Sequence, residues 1–319
     1  MHKLYKPIAA AAVVSVLFIG LGALSKDGRA YVAGRFALLL DRDTTASLLK
    51  SVDGGAIKGE VVTLVADPVN KKALAQLQYE IFEMQLGMTM GKPLYDWIKA
   101  SFDLKPVRKN GSIVAADFNY KEMSRRDFTQ ALITEFSVPK LDGASKEPAY
   151  LTVKFSPESI VLVKGSGQKV DVTDTKKKQF LPSNFRLKID GLDCTRVNKI
   201  EALTVKQTTI DQKGIKIPGK LEYPNLKVTL SQTGSESWYD WFESFAIKGN
   251  NGDEQEKKGS LEFLASDLKS TLLTLNFSNL GIYCLLPDTA EANSDNVSRL
   301  TAELYCERIT IDAPAAAAP

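Results

Sequence analysis

Few residues of this chain stand in patterns that support catalysis. The only histidine is His2, close to the N-terminus. Serine and cysteine nucleophiles elsewhere therefore have no histidine base, and histidine-ligated metal sites are excluded. Ser47 and Lys50 have the Ser-x-x-Lys spacing of serine acylases, but no Lys-Thr-Gly motif accompanies them. We interpret this segment as a solvated strand end and predict that the protein is not an enzyme.

Acidic pairs and glycine-rich stretches offer no better site. Asp171 with Asp174, and Asp288 with Glu291, could hold a cation, but both pairs lie in turn-rich, charged stretches where solvation is the simpler interpretation. Gly165-Ser166-Gly167 lacks the third glycine of a dinucleotide fingerprint. We therefore predict no catalytic, cofactor-binding or metal-binding residues, and no cofactor.

The three cysteines are Cys194, Cys284 and Cys306. They form no Cys-x-x-Cys pair, and their odd number does not encode a disulfide scaffold. We interpret them as small buried hydrophobic residues. A bridge between Cys284 and Cys306 across neighbouring strands stays open as an alternative.

The charge balance points away from nucleic acid. The chain has 41 basic and 38 acidic residues, a net charge of +3. Arg125-Arg126 and Lys176-Lys177-Lys178 lack the interleaved aromatic residues of a single-strand binding groove. We predict that both clusters lie in solvated loops and that the protein makes no nucleic-acid contact.

The first 25 residues are predicted to be a signal or membrane-anchor segment. Lys3 and Lys6 precede an apolar stretch over residues 7–24, after which small residues permit cleavage behind Ser25. The stretch is also near the lower limit for spanning a bilayer. A cleaved export signal and a retained membrane anchor are both consistent with it, and a buried helix or an upstream start codon is a third interpretation. The first two predict a membrane-associated or exported protein of a bacterial cell envelope.

The rest of the chain repeats itself at long period. Four short blocks recur in the same order at offsets of 144 or 149 residues. The paired blocks are 36–41 with 185–190, 77–80 with 221–224, 94–98 with 238–242, and 151–155 with 300–304. One shared tripeptide arises easily by chance, whereas an ordered series of four does not.

These repeats define the domain organisation. We predict two copies of one domain, residues 31–165 and 180–312. A Gly/Ser- and charge-rich stretch over 166–179 reads as a solvated connector. The Ala/Pro-rich residues 313–319 are predicted to be a disordered tail. Together with the segment 1–25, these stretches cover every residue except 26–30.

Hydrophobic periodicity predicts a mainly β (α+β) fold with one helix in each copy. Apolar residues alternate over 185–189 and 226–230, which is typical of half-buried strands. Trp238, Trp241 and Phe245, by contrast, fall on one face of a helix. Ser235 is a suitable N-cap residue for this helix.

The helix of the first copy follows the same pattern. Leu94, Trp97 and Ile98 continue the apolar stripe, and Pro93 suits the first turn. Tryptophans at helical spacing usually belong to a core rather than to a ligand cage.

The order of motifs in the second copy resembles the T4-like tail tube family of contractile phages. An opening strand, NFRLKIDG over 184–191, is followed by the loop IPGK over 217–220. The strand YPNLKVTL over 223–230 and the helical WYDW over 238–241 complete the series. The same family includes the inner tube of contractile injection systems and is related to the type VI secretion tube. The first copy matches less well, because its Pro-Gly loop is missing.

The resemblance implies two tandem tail-tube-like β-barrel or sandwich domains in a structural, non-enzymatic subunit. Such a subunit would self-associate into a ring through strand edges, as a trimer that mimics a six-fold ring. Its partners would be further copies and other tail-tube-like proteins, and the membrane through residues 7–24. Strands 185–189 and 226–230 would form the wall, with the Trp97 and Trp241 helices packed over it.

One alternative belongs to a different functional class. An exported binding or adhesion module made of two β-sandwich domains also explains the leader and the repeat. Release of a cleaved monomer would favour that module. Ordinary tail tubes have no leader, and a tube or hub assembled without export would be a cytoplasmic injection-system particle.

Overall fold

The computed structural model describes residues 34–41, 46–88, 90–172, 180–212, 214–288 and 298–312. The predicted mainly β fold is confirmed, with several antiparallel sheets and few helices. The predicted targeting segment over 1–25, the lysine cluster over 176–178 and the Ala/Pro-rich residues 313–319 lie outside the described residues.

The first half of the chain contains eleven strands and one helix among its described residues. They are β1 (Arg35–Leu40), β2 (Ser47–Leu49), β3 (Ser51–Gly54), β4 (Ile57–Leu64), β5 (Lys71–Tyr79), β6 (Phe82–Leu86), α1 (Lys92–Phe102), β7 (Lys109–Ala116), β8 (Glu122–Val138), β9 (Leu141–Asp142), β10 (Leu151–Ser156) and β11 (Ser159–Lys164).

The second half contains eight described strands, one α-helix that continues into a π-helical turn, and a short 3-10 turn. They are β12 (Phe185–Ile189), β13 (Val197–Ile200), β14 (Leu203–Gln212), β15 (Ile215–Glu222), β16 (Leu226–Ser231), α2 (Glu236–Phe242), the π-turn (Glu243–Ile247), the 3-10 turn (Asp253–Gln255), β17 (Lys257–Leu264), β18 (Thr271–Pro287) and β19 (Arg299–Asp312).

Both halves pair their strands in the same order. The first half runs β1-β7-β8-β10-β6-β3, and the second runs β12-β17-β18-β19-β16-β13. All of these pairs are antiparallel. A hairpin precedes β6 in one half and β16 in the other; we call β4–β5 the first hairpin and β14–β15 the second hairpin. Corresponding strands therefore occupy corresponding places in the two sheets.

The register of pairing also agrees with the sequence repeat. Leu151 lies opposite Leu86 in the first half, and Leu300 lies opposite Leu230 in the second. These pairs correspond at the offsets of 149 and 144 residues that the repeated blocks show. All four leucines are buried. The alternation of apolar residues therefore fixes the same register twice, because a slip of one residue would turn each apolar set to the wrong face.

A glycine marks the same β-bulge in each half. The pairing shifts at Gly111 between β7 and β8, and at Gly259 between β17 and β18. A Cβ atom on Gly111 would lie 2.3 Å from the backbone oxygen of Leu39, and one on Gly259 would lie 2.7 Å from that of Lys188. Only glycine allows the neighbouring strand to approach so closely.

The helices pack as the apolar stripes predict. Trp97 and Trp238 are buried, and each indole Nε1 donates a hydrogen bond to a backbone oxygen, of Val107 at 2.8 Å and of Asp193 at 2.9 Å. By the repeat, however, Trp97 corresponds to Trp241. The Nε1 of Trp241 is buried without a hydrogen-bond partner among the described residues. The hydrogen-bonded tryptophan of α2 therefore lies about one helical turn before the position that corresponds to Trp97.

The helix starts agree only in part with the predicted caps. Pro93 stands in the first turn of α1, as predicted. Ser235 stands at the N-cap position of α2, but its hydroxyl donates to the backbone oxygen of Gln232 at 2.6 Å rather than capping the helix.

Two loop predictions are wrong. Arg125 and Arg126 lie in strand β8, and the Arg126 guanidinium stacks 5.0 Å from the centre of the Phe82 ring. Burial there lowers the pKa of Arg126. Ser47 is buried in β2, although we expected a solvated segment. Within the predicted connector 166–179, residues 166–169 are exposed, whereas Val170 is buried against the first half. At Ser47 and Arg126, neighbouring strands cover residues whose own polarity favours water.

Candidate assembly interface

The second hairpin completes the sheet of the first half. Residues 203–206 of β14 pair antiparallel with residues 135–138 of β8. We call this pairing the joined edge. Strand β10 covers one side of this part of β8. The joined edge is on the other side, where β7 pairs with the N-terminal part of β8. One half of the molecule thereby supplies strands to the sheet of the other.

Side chains reinforce the joined edge. Thr204 lies opposite Ser137, and their hydroxyl groups form a hydrogen bond of 2.9 Å. Phe136 and Val205 form the next pair and are both buried, 2% and 5% exposed. The chain then continues the contact, since β9 of the first half pairs with β13 of the second.

Two tyrosines add contacts between the halves. The Tyr95 hydroxyl of helix α1 donates to the backbone oxygen of Ile311 in β19, at 3.1 Å. The Tyr223 hydroxyl donates to the backbone oxygen of Phe102 at 3.5 Å. Helix α1 therefore packs between the halves, and a single hydrophobic cluster has members from both.

The equivalent stretch of the second half has one free side. Residues 284–287 of β18 correspond to residues 135–138 of β8 at the 149-residue offset. They pair with β19 on one side. No strand of the described part of the chain pairs with their other side. We call this stretch the open edge; Leu286 on it is 52% exposed.

The first hairpin likewise joins no larger sheet among the described strands. Strands β4 and β5 pair only with each other among the described strands. Many of its apolar side chains are at least half exposed. They are Val61, Leu64, Val65, Val69, Leu74 and Leu77. Large exposed apolar patches on soluble proteins usually mark contact surfaces.

A cross-strand ion pair has opposite polarity in the two halves. In the first half, Lys154 of β10 lies 3.2 Å from Glu83 of β6. In the second half, the corresponding positions are Glu303 of β19 and Lys227 of β16, at 2.7 Å. Two hydrogen bonds lower the pKa of Glu303; the larger effect comes from Lys227 and the smaller from Tyr283.

The residues with possible chemistry do not converge. Within the described ranges, no group of three histidine, cysteine or acidic side chains is placed to hold a metal ion. All three cysteines are free, and Cys284 lies opposite Glu303 rather than Cys306. Burial raises the pKa of both Cys194 and Cys306 to about 11. Asp174 and Glu291, one member of each of the two acidic pairs that we interpret as solvated, lie outside the described residues.

The two predicted wall strands occupy different places. Residues 185–189 form β12 at the end of the seven-stranded sheet, whereas residues 226–230 lie in β16 inside it. The backbone edge at the junction of the halves, which our sequence analysis did not single out, comes from β8 and β14. Across the described segments, no helix is long and apolar enough to cross a bilayer.

Comparisons with known proteins find likeness at the level of solved structures. No protein-family model matches the chain, and no curated protein matches it. The chain is similar to the sheath–tube complex of an extracellular contractile injection system in its extended state, with 18% identity and a TM-score of 0.33 over 40% of this chain and 88% of that one.

Two further solved structures give similar values. The tube-terminating cap of the anti-feeding prophage is 20% identical, with a TM-score of 0.32 over 40% of this chain and 88% of that one. The baseplate structure of the same particle is 12% identical, with a TM-score of 0.31 over 44% of this chain and 97% of that one. Each likeness therefore spans less than half of this chain.

Proposed function

We propose that the protein is a structural subunit of a phage-tail-like tube or hub, which self-associates into a ring through the edges of its sheets. The joined edge carries this proposal. There, one half of the chain supplies a hairpin that extends the sheet of the other half. A unit that joins its neighbour in this way can be repeated, because each unit offers both a hairpin and an edge.

The shared strand order and register support a further part of the proposal, that the two halves are copies of one ancestral domain. Two joined copies in each chain halve the number of chains needed to close a ring of equal units. Unpaired edges otherwise promote uncontrolled aggregation. A closed ring reduces that hazard, because the open edge of each copy finds a partner.

The sequence resemblance supplies the kind of assembly. The motif order of 184–191, 217–220, 223–230 and 238–241 resembles tail tube proteins. Three of these motifs lie on β12, β16 and α2, but 217–220, expected to be a loop, lies inside strand β15 and pairs with β14. The role we propose is architectural. The ring would enclose a channel, and further tail-tube-like proteins would stack on it.

Light scattering on the purified full-length chain tests this function. A mild detergent keeps the apolar residues 7–24 in solution. We expect a particle whose mass is a multiple of the 35.0 kDa chain, and negative-stain images of annular particles with a central hole. A stable monomer would contradict the proposal and favour the exported binding module instead.

A further inference from the structure

The strongest unexplained feature is a pair of surfaces that the fold leaves unused. Inside the chain, hairpin and edge meet once, at the joined edge. The first hairpin and the open edge are the remaining hairpin and edge, and neither has a partner strand among the described residues. We propose that the open edge of one copy binds the first hairpin of a second copy in the register of the joined edge. This inference rests on the proposed function and names the contact that would perform it.

The repeat gives the register of this contact. Val228 pairs with Ile200 in the second half, and Met84, which corresponds to Val228, pairs with Val52 in the first half. Ile200 therefore corresponds to Val52, at an offset of 148. At the same offset, residues 204–206 of β14 correspond to residues 56–58. The predicted pairs between copies are therefore those in which Ala56 faces Leu286, Ile57 faces Leu285, and Lys58 faces Cys284.

The backbone of the first hairpin is oriented for this pairing. The Glu80 N–H donates to the backbone oxygen of Ala56 at 2.9 Å. Because hydrogen-bonding groups alternate in direction along a strand, the N–H and C=O of Ile57 point to the opposite side, away from β5. They correspond to the groups of Val205, which faces Phe136 at the joined edge.

The open edge is oriented in the same sense. The Asp288 N–H donates to the backbone oxygen of Arg299 in β19 at 2.9 Å. Alternate residues back along the strand, Pro287 and Leu285, therefore direct their backbone groups to the free side. The N–H and C=O of Leu285 are thus available to the N–H and C=O of Ile57 in a second copy.

The hydrogen-bonded ladder between copies would end before the pair formed by Pro287 and Gly55. Pro287 has no N–H to donate. Its opposite residue would be Gly55, whose N–H already donates to the backbone oxygen of Ile81 at 3.1 Å. The contact between copies is therefore shorter than the joined edge by one pair.

The tyrosine contact between the two halves also has a corresponding pair of residues that do not meet within the chain. Tyr95 donates to the backbone oxygen of Ile311 inside the chain. By the same offsets, these positions correspond to Tyr239 on α2 and Leu162 on β11. Tyr239 is 42% exposed and Leu162 is 68% exposed. When the open edge binds the first hairpin, the Tyr239 hydroxyl is expected to reach the Leu162 carbonyl of the neighbouring copy.

The native Cys284 makes the register testable by disulfide trapping. Lys58 and Cys284 would form a non-hydrogen-bonded pair, in which Cα atoms approach closely enough for a disulfide. In the full-length Lys58→Cys variant, mild oxidation should link chains head to tail. Lys58 is an exposed residue, so its replacement leaves the core intact. Cys194 and Cys306 are less available, because burial raises the pKa of each thiol to about 11.

Matched variants control for chance collision. Ile57→Cys places the thiol on the other face of the strand. We expect about tenfold less linked product from it than from Lys58→Cys, given the strict geometry of a disulfide. Adding Cys284→Ser to Lys58→Cys should abolish linkage. Glu135→Cys with Lys206→Cys, in the Cys284→Ser background, should close a disulfide within one chain at the joined edge.

Hydrogen exchange provides a readout without substitution. The amides of Ile57 and Leu285 should be protected in the assembled protein and lose protection on dilution to monomers. Rings without Lys58→Cys linkage, or with equal linkage for Ile57→Cys, would overturn this register while leaving the proposed function standing. A protein that is monomeric by light scattering would overturn the proposed function, and the contact with it.

Discussion

The joined edge and the open edge occupy corresponding places in the two halves but carry different side chains. At the joined edge, Ser137 bonds Thr204 and a polar pair suffices. At the open edge, the residue corresponding to Ser137 is Leu286, which is half exposed. The joined edge forms within one chain, whereas association between chains loses translational and rotational freedom. The proposed assembly agrees with that difference: an apolar residue lies where a separate chain would bind, and a polar pair lies where the partner strand belongs to the same chain.

The largest effect is expected from the tryptophans that differ between the halves. Trp97→Ala removes a buried indole and its bond to Val107, and should lower the free energy of unfolding by about 3 to 5 kcal/mol. Trp241→Ala removes an indole whose Nε1 has no hydrogen-bond partner among the described residues. We therefore expect a smaller loss in the free energy of unfolding. Urea titration followed by circular dichroism measures both. Equal losses would mean that the bond to Val107 contributes little.

A proline in each hairpin should separate folding from assembly. Val205→Pro removes a backbone donor at the joined edge and should destabilise the chain by about 2 to 3 kcal/mol. Ile57→Pro removes the equivalent donor of the first hairpin, which has no partner strand within the described part of the chain.

Thermal unfolding and light scattering distinguish the two variants. The melting temperature should fall for Val205→Pro, and the particle mass should fall to that of a monomer for Ile57→Pro. An Ile57→Pro variant that still assembles would show that the first hairpin is not an assembly surface.

The bulge glycines give a finer comparison. Gly111→Ala and Gly259→Ala should each cost about 1 to 3 kcal/mol, the usual penalty for overpacking. Gly111→Ala should cost more, because its added Cβ would lie 2.3 Å from a backbone oxygen, against 2.7 Å at Gly259. Denaturant midpoints test this order. The reverse order would indicate that β1 moves aside more easily than β12.

The smallest effect concerns the exposed ion pair of the second half. The hydrogen bond from Lys227 lowers the pKa of Glu303, so its carboxylate stabilises the fold above the unfolded pKa. That contribution is lost as pH falls through the lower folded pKa. Melting temperatures should therefore differ slightly between wild type and Glu303→Gln at neutral pH, and converge in acid. A difference that grows in acid would contradict this assignment.

Side-chain patterns predicted the elements of the fold well. The alternating segments at 185–189 and 226–230 are strands, and the apolar stripe of Trp238, Trp241 and Phe245 lies on a helical segment. These signals are strong because burial requires apolar residues at the spacing of the element. The stripe did not reveal that α2 ends in a π-turn, since both helical forms bury similar residues.

The junction of the halves was not predictable in the same way. The bonds between β8 and β14 join backbone groups, and every residue type has these groups. Arg126 was misplaced for a related reason, since a guanidinium over the Phe82 ring resembles a solvated one in sequence. Gly111 and Gly259 recur at nearly the offset of the repeated blocks, but they mark bulges between β7 and β8 and between β17 and β18, not the junction.

The reversed polarity of the Lys154–Glu83 and Glu303–Lys227 pairs bears on how the chain folds. Two halves with the same strand order could exchange strands during folding, a known hazard of repeated domains. If β10 paired with β16, Lys154 would face Lys227, and if β19 paired with β6, Glu303 would face Glu83. Like charges directly opposite each other destabilise a pair of strands. The exchanged, misfolded arrangement is therefore penalised twice, and each strand is directed to its own half.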